Sequence, residues 1–269
     1  MTINNTQALV MGILNVTPDS FSDGGQCLNA DDAIRAAMRL LDQGADIIDI
    51  GGESTRPGAA SVSEADEISR VVPVIKALST QTNIPISIDT SKPQVMQQAV
   101  EAGASLINDV NALQADGALE MAASLEVDVC LMHRQGLPQT MQQNPVYGDV
   151  IEDIQQFFQQ RIEACQQAGI QPEKIILDPG FGFGKTLVHN LEILRRFDEF
   201  KDLGFRLLAG LSRKSMIGAI LNNREIEGRM IGSVTSAIIA VQNGADIVRV
   251  HDVLATKDAL LTLQAVNGA

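Results

Sequence analysis

The sequence predicts a (β/α)8 barrel, a single α/β domain over residues 1–269 with long βα loops 1 and 2. Three observations carry this. The chain holds eight short apolar runs, each followed by a helix-like stretch. The runs lack strict apolar/polar alternation, the pattern of strands buried on both faces of a parallel sheet. One phrase also recurs with one meaning: "DQGADIIDI" (42–50), "EAGASLINDV" (101–110) and "QNGADIVRVHD" (242–252) each end a helix, set a Gly at the left-handed position beyond it and begin a strand. Eight βα units in about 250 residues fit a closed barrel, with a doubly wound open sheet as the competing arrangement.

Taken in order, "ALVMGILNV" (8–16) is the first strand, and the loop "TPDSFSDGGQCLN" (17–29) leads to the amphipathic stretch "NADDAIRAAMRLLDQ" (29–43). "DIIDIGG" (46–52) follows, then the loop "ESTRPGAASVS" (53–63) and the helical "EADEISRVVPVIKALSTQ" (64–81). The third to fifth strands are "ISIDT" (86–90), "SLINDV" (105–110) and "DVCLMH" (128–133), and "DVIEDIQQFFQQRIEACQQ" (149–167) is the helix after the fifth. "KIILDPG" (174–180), "RLLAGLS" (206–212) and "DIVRVHD" (246–252) complete the set. Several helical stretches begin with Asp, Asn or Ser suited to capping. The two long loops are dense in Gly and Ser/Thr and carry Thr17, Asp19, Asp23, Thr55 and Arg56, so they read as lids.

At 45% hydrophobic residues the chain can bury a sizeable core, and its net charge of −13 disfavours nucleic acid and anionic membranes as partners. Any anion site must be a local cluster of basic groups. Cys27, Cys130 and Cys165 are odd in number and far apart, which points to neither disulfides nor zinc and fits a reducing cytoplasm. The opening "MTINNTQALV" lacks a leader pattern, no apolar run has membrane-span length, and no fused domain is expected before the barrel.

"LDPGFGFGKT" (177–186) looks like a phosphate-binding loop, but the spacing fails: counting back from Gly184-Lys185-Thr186, the first required glycine falls on Pro179, which has no N–H. Asp178 needs another explanation. Barrel active sites form where the strands end. Collected there are Asn15, Asp49, Glu53, Asp89, Asn108, Asp109, His133, Asp178, Ser212, Arg213, Lys214, Arg249 and His251. Some must be structural, since strand-end Asp and Asn often cap the next helix. Two groups separate by charge. Asn15, Arg249 and His251, on strands that meet when the barrel closes, suit phosphate or pyrophosphate, although Arg249 could instead pair with Asp252 or another acid. Asp89, Asn108 and Asp178 form an acceptor-rich group suited to adjacent N–H donors, such as an amino-pyrimidine edge.

Seven segments, "MGILNVTPDSFSDGG", "DIIDIGGESTRPGA", "ISIDTSK", "LINDV", "LDPGFGFGK", "SRKSMIG" and "RVHDV", together resemble the dihydropteroate synthase family in its bacterial, monofunctional form. The resemblance runs in order over almost the whole chain. It implies a Mg²⁺-assisted transferase of folate biosynthesis that joins 6-hydroxymethyl-7,8-dihydropterin pyrophosphate to p-aminobenzoate and releases pyrophosphate, with sulfonamides as inhibitors and a cytoplasmic homodimer as the expected form. Matched positions place Asp89, Asn108, Asp178, Lys214 and Met132 at the pterin. Thr55, Arg56, Pro57, Phe183, Lys214 and Ser215 fall at p-aminobenzoate. Asn15, Arg56, Arg249 and His251 hold the pyrophosphate, with Asn15 on the metal, and Phe21 and Asp23 lie in a first loop closing over Asp89 and Lys214 at the reaction centre. Two alternatives stay open: a barrel methyltransferase passing methyl from methyltetrahydrofolate to a corrinoid, and a non-catalytic pterin-binding paralogue. The first would need neither the Arg56 loop nor the pyrophosphate cluster; the second should have lost Phe21, Asp23 or Arg56.

Overall fold

A computed structural model describes residues 8–17, 30–53, 61–136, 140–142 and 144–268. The eight strands are β1 Leu9–Asn15, β2 Ile47–Gly51, β3 Ile86–Asp89, β4 Leu106–Asp109, β5 Asp128–Met132, β6 Ile175–Asp178, β7 Arg206–Ala209 and β8 Ile247–Val250. They pair in parallel in chain order, and β1 closes on β8 with Met11 opposite Arg249, giving a closed barrel. All eight runs expected from the sequence are strands. The open-sheet alternative fails because β1 has partners on both sides, β2 and β8.

Nine helices lie among the described residues: α1 Ala30–Asp42, α2 Glu64–Ser79, α3 Pro93–Glu101, α4 Ala118–Leu125, α5 Val150–Gln167, α6 Leu187–Arg195, α7 Ser215–Ile220, α8 Met230–Gln242 and α9 Val253–Gly268. The extra helix over a plain eightfold repeat follows β7, where the six-residue α7 and a 3-10 turn over Ile226–Arg229 precede α8. None of these helices is long and apolar enough to cross a membrane. Apolar faces of the helices pack on the outward side chains of the strands, which explains the absence of strict alternation.

The repeated phrase does one job in two places at the N-terminal end of the barrel. Gly44 (φ +93°) and Gly244 (φ +101°) take the left-handed conformation that ends α1 and α8. Two residues on, Asp46 accepts the Val10 N–H at 2.8 Å, and Asp246 accepts the Leu207 N–H at 2.8 Å. Each carboxylate thus satisfies the second amide of the neighbouring strand.

Candidate active site

Inside the barrel, Met11, Ile47, Leu106, Cys130, Ile176, Leu208 and Ile247 form an apolar plug. Side chains on a strand point inward at every second residue, so the next inward position on each strand is set by the plug. That step brings Asp49 after Ile47, Asn108 after Leu106, Met132 after Cys130, Asp178 after Ile176, Gly210 after Leu208 and Arg249 after Ile247. On β3 the corresponding positions are Ser87 and Asp89. An apolar floor therefore carries a polar layer, open at the C-terminal ends of the strands.

Arg249 is the centre of that layer. Its Nε donates to Asp49 Oδ2 at 2.6 Å and its NH2 to Asp89 Oδ2 at 2.7 Å. Burial disfavours its charge, yet Asp49 and Asp89 outweigh that and hold its pKa above the ordinary value. The boundary between a cationic and an acceptor group is thus not where charge alone would draw it, since Arg249 sits among the acceptors. Asp252, the acid nearest in sequence, is instead held by Arg213 through two hydrogen bonds of 2.5 and 3.0 Å.

Burial raises the Asp89 carboxyl to about 7, Arg249 pulling it down and Asp49 pushing it up. Its Oδ1 is buried without a hydrogen-bond partner among the described residues. Such an orphaned acceptor is costly, by about 1–3 kcal/mol, and is met by a ligand that donates. Asn108 donates its Nδ2 to Asp49 Oδ2 at 3.2 Å. Asp178, across the mouth, accepts the Gly180 N–H on Oδ1 at 2.8 Å, and burial raises its carboxyl against the pull of Lys214. Burial lowers Lys214 to about 8, with Asp178 opposing the shift. Two glycines keep this space clear: a Cβ on Gly51 would lie 3.8 Å from Asp89 Oδ2 and 3.9 Å from Asn15 Oδ1, and one on Gly210 3.7 Å from Asp178 Oδ2.

The segment after β6 is a phosphate-binding loop turned inside out. Gly180, Gly182 and Gly184 all have positive φ, and a Cβ on Gly180 would lie 1.9 Å from the His133 carbonyl oxygen. The curled backbone aims carbonyls, not N–H groups, at a lysine amine of the chain itself, whose charge burial disfavours. Lys185 is 3% exposed and its Nζ donates to the carbonyls of Gly180, Phe183 and His133 at 2.9, 3.1 and 3.3 Å, and lies 3.0 Å from His133 Nδ1. Lys214 Nζ donates to Phe181 O, Gln142 to Gly182 O, and Tyr147 to Gly184 O at 2.9 Å. Phe183 is held against the mouth, with Lys214 Nζ 4.5 Å from its ring centre. Lys185, Gln142 and Tyr147 carry this loop, and the glycine-rich motif hid the first of them in plain view. The last two lie in "RQGLPQTMQQNPVYGD" (134–149), which suggests no role by pattern.

Several strand-end residues serve the scaffold. Asp109 accepts from Ser91 and from the N–H groups of Asn111 and Leu113, both at 2.7 Å, fixing the turn after β4. Glu53 pairs with Lys92 at 2.5 Å and accepts the Val62 N–H at 3.0 Å. His133 is buried and pushed down to about 2 by burial and Lys185, so it stays neutral. Arg213 adopts φ +56°, a left-handed turn that places its own side chain outward on Asp252 and Lys214 inward. Ser212 Oγ accepts the His251 N–H at 3.1 Å and lies 3.0 Å from its Nδ1. Asn15 and His251 line one cleft. Met132 lies opposite Asp178 in register, and Ser215 opens α7 directly after Lys214. Phe21, Asp23, Thr55, Arg56 and Pro57 lie outside the described residues.

The family profile described as "Pterin binding enzyme" matches residues 11–251. A dihydropteroate synthase of Haemophilus influenzae is 52% identical over 97% of this chain and 94% of its own. The chain belongs to the dihydropteroate synthase family. Its barrel is that of a transferase of folate biosynthesis. A solved dihydropteroate synthase of Yersinia pestis, in complex with a sulfonamide drug, superposes with a TM-score of 0.94 at 52% identity, covering 100% of this chain and 98% of that one. The Xanthomonas albilineans dihydropteroate synthase in complex with 7,8-dihydropteroate gives a TM-score of 0.90 at 44% identity, over 99% of this chain and 96% of that one.

Proposed function

We infer that this dihydropteroate synthase family member binds the pterin ring of 6-hydroxymethyl-7,8-dihydropterin pyrophosphate on Asp89, Asn108 and Asp178, with Lys214 donating to the carbonyl side and Met132 against the ring. The observation that carries the reading is the buried, partnerless Asp89 Oδ1 beside Asn108, facing a mouth that Asp178 and Lys214 complete. A pterin edge offers a ring N–H and an exocyclic amine side by side, which two acceptors receive together. Thr55, Arg56, Pro57, Phe183, Lys214 and Ser215 frame p-aminobenzoate, supported by the stacking of Lys214 on Phe183.

Asn15, Arg56, Arg249 and His251 receive the pyrophosphate. Arg249 has NH1 donors beyond those given to Asp49 and Asp89, and they can take phosphate oxygens. A Mg²⁺ ion fits here as one that arrives with its substrate: Asn15 offers a single amide oxygen, and among the described residues no group of three His, Cys, Asp or Glu could hold a metal. Asn15 and the pyrophosphate oxygens would hold it, and it would add positive charge at the leaving group. Departure of pyrophosphate leaves the pterin methylene cationic, a charge that Asp89, together with Asp23, would stabilise. The arylamine then attacks with a lone pair that is already free, so no strong general base is required. Excluding water from the cation is the role assigned to Phe21.

We read residues 1–269 as one domain, acting in the cytoplasm as a homodimer. Buried free thiols at Cys130 and Cys165 support a reducing compartment, and the exposed apolar side chains Ile231 on α8 and Leu254 and Leu261 on α9 support a partner surface. Pyrophosphate release from the dihydropterin substrate, with and without p-aminobenzoate, tests the function when dihydropteroate is followed by chromatography. Release coupled to dihydropteroate is expected, and a sulfonamide should compete with p-aminobenzoate. Pterin binding without either product would overturn it.

A further inference from the structure

We propose that Asp49 is a positioning residue of this site, one that sets which end of the Asn108 amide faces the bound ring and tethers Arg249 beside it. Asp49 is wholly buried on β2, yet one oxygen, Oδ2, serves both Asn108 Nδ2 (3.2 Å) on β4 and Arg249 Nε (2.6 Å) on β8. Asp49 Oδ2 is an acceptor in both bonds, so it holds Asn108 in one of its two amide orientations, NH2 toward Asp49 and Oδ1 away from it. Without that acceptor the amide turns over freely, and in half of its orientations it meets a donating ring edge with a donor.

Arg249 is gripped in the same way. A ligand that draws Asp89 Oδ2 away from NH2 leaves the Nε bond to Asp49 in place, so the guanidinium stays aligned through the exchange. Stability alone does not account for Asp49. Its Oδ1 is buried with no partner among the described residues, as is the hydroxyl of Ser87, which lies opposite it in register. A half-satisfied buried carboxylate destabilises a barrel interior, as expected of a group kept for the site rather than for the fold. Nothing in the ligand-contacting set requires Asp49 to touch substrate; it acts through Asn108 and Arg249.

The inference rests on the reading of the pterin site given above. Calorimetry with 6-hydroxymethylpterin as the probe tests it on the parent, Asp49→Ala, Asp178→Asn and the exchange Asp49→Asn/Asn108→Asp, each checked by its melting profile. Asp49→Ala is expected to weaken the pterin about tenfold or more while the KM for p-aminobenzoate moves less than about twofold. A purely structural defect would move both. The exchange again points an oxygen at the ring and is expected to recover most of the loss. A folded Asp49→Ala that binds the probe like the parent overturns the inference; if Asp178→Asn is then still defective, the pterin site stands, and if it too is unchanged, the site falls with it. If Asp49→Ala does not fold, the exchange variant decides: affinity within about fivefold of the parent supports the role, and a loss of about a hundredfold overturns it.

Discussion

Asp89 and Arg249 hold each other before any ligand arrives, which changes what removing either should do. Arg249→Ala leaves Asp49 and Asp89 facing without their cation, a loss of about 3–5 kcal/mol for a broken buried pair, so a lower melting temperature should accompany weaker pyrophosphate affinity. Unchanged pyrophosphate affinity would remove it from the anion site. Asp178→Asn presents a donor where the ring also donates, and calorimetry should detect no pterin binding; near-normal affinity would end that assignment. Acidity gives a further test. Asp89, held at about 7 by burial, must be ionised to accept, and Lys214, lowered to about 8 by burial, must be charged to donate. Pterin affinity should therefore fall below about pH 7, where Asp89 and the likewise raised Asp178 take up protons, and again above about pH 8. A flat profile from pH 6 to 9 would contradict it. The residue types were legible in the sequence, but their duties were not: Asp109, Glu53, His133 and Arg213 sit at strand ends just as Asp89 and Asp178 do. What separates them is whether the side chain turns back onto a loop or stays on the barrel axis, which depends on details such as the left-handed Arg213.

The eight strands were legible because each is largely buried on both faces and so mostly apolar, with polar residues gathered toward its C-terminal end. The glycine-rich loop after β6 was legible only in part. Its spacing excluded a nucleotide site, while the reason for three glycines lay in the close approach of the β5 end and in the carbonyl cage around Lys185. Lys185→Met should leave three inward carbonyls without their donor, lowering the melting temperature by several degrees and raising the KM for p-aminobenzoate through a displaced Phe183. Thermal melting and steady-state kinetics on one preparation check this, and a parent-like KM would detach the cage from the site.

Over the whole molecule, Ile231, 76% exposed on α8, and Leu254 and Leu261 on α9 are exposed apolar side chains on two helices that pack against each other. Sedimentation should show a dimer, and Ile231→Glu should shift it toward monomer; a parent that is monomeric at micromolar concentration would discard the expectation. Barrel closure has a different consequence. Asp49, Asp89 and Asn108 leave the ribosome well over a hundred residues before Arg249, and that arginine comes from the strand that seals β1. A chain lacking β8 lacks both the cation that bridges Asp49 and Asp89 and the strand that pairs with β1. A product truncated before β8 is therefore expected to gain no melting temperature from added pterin.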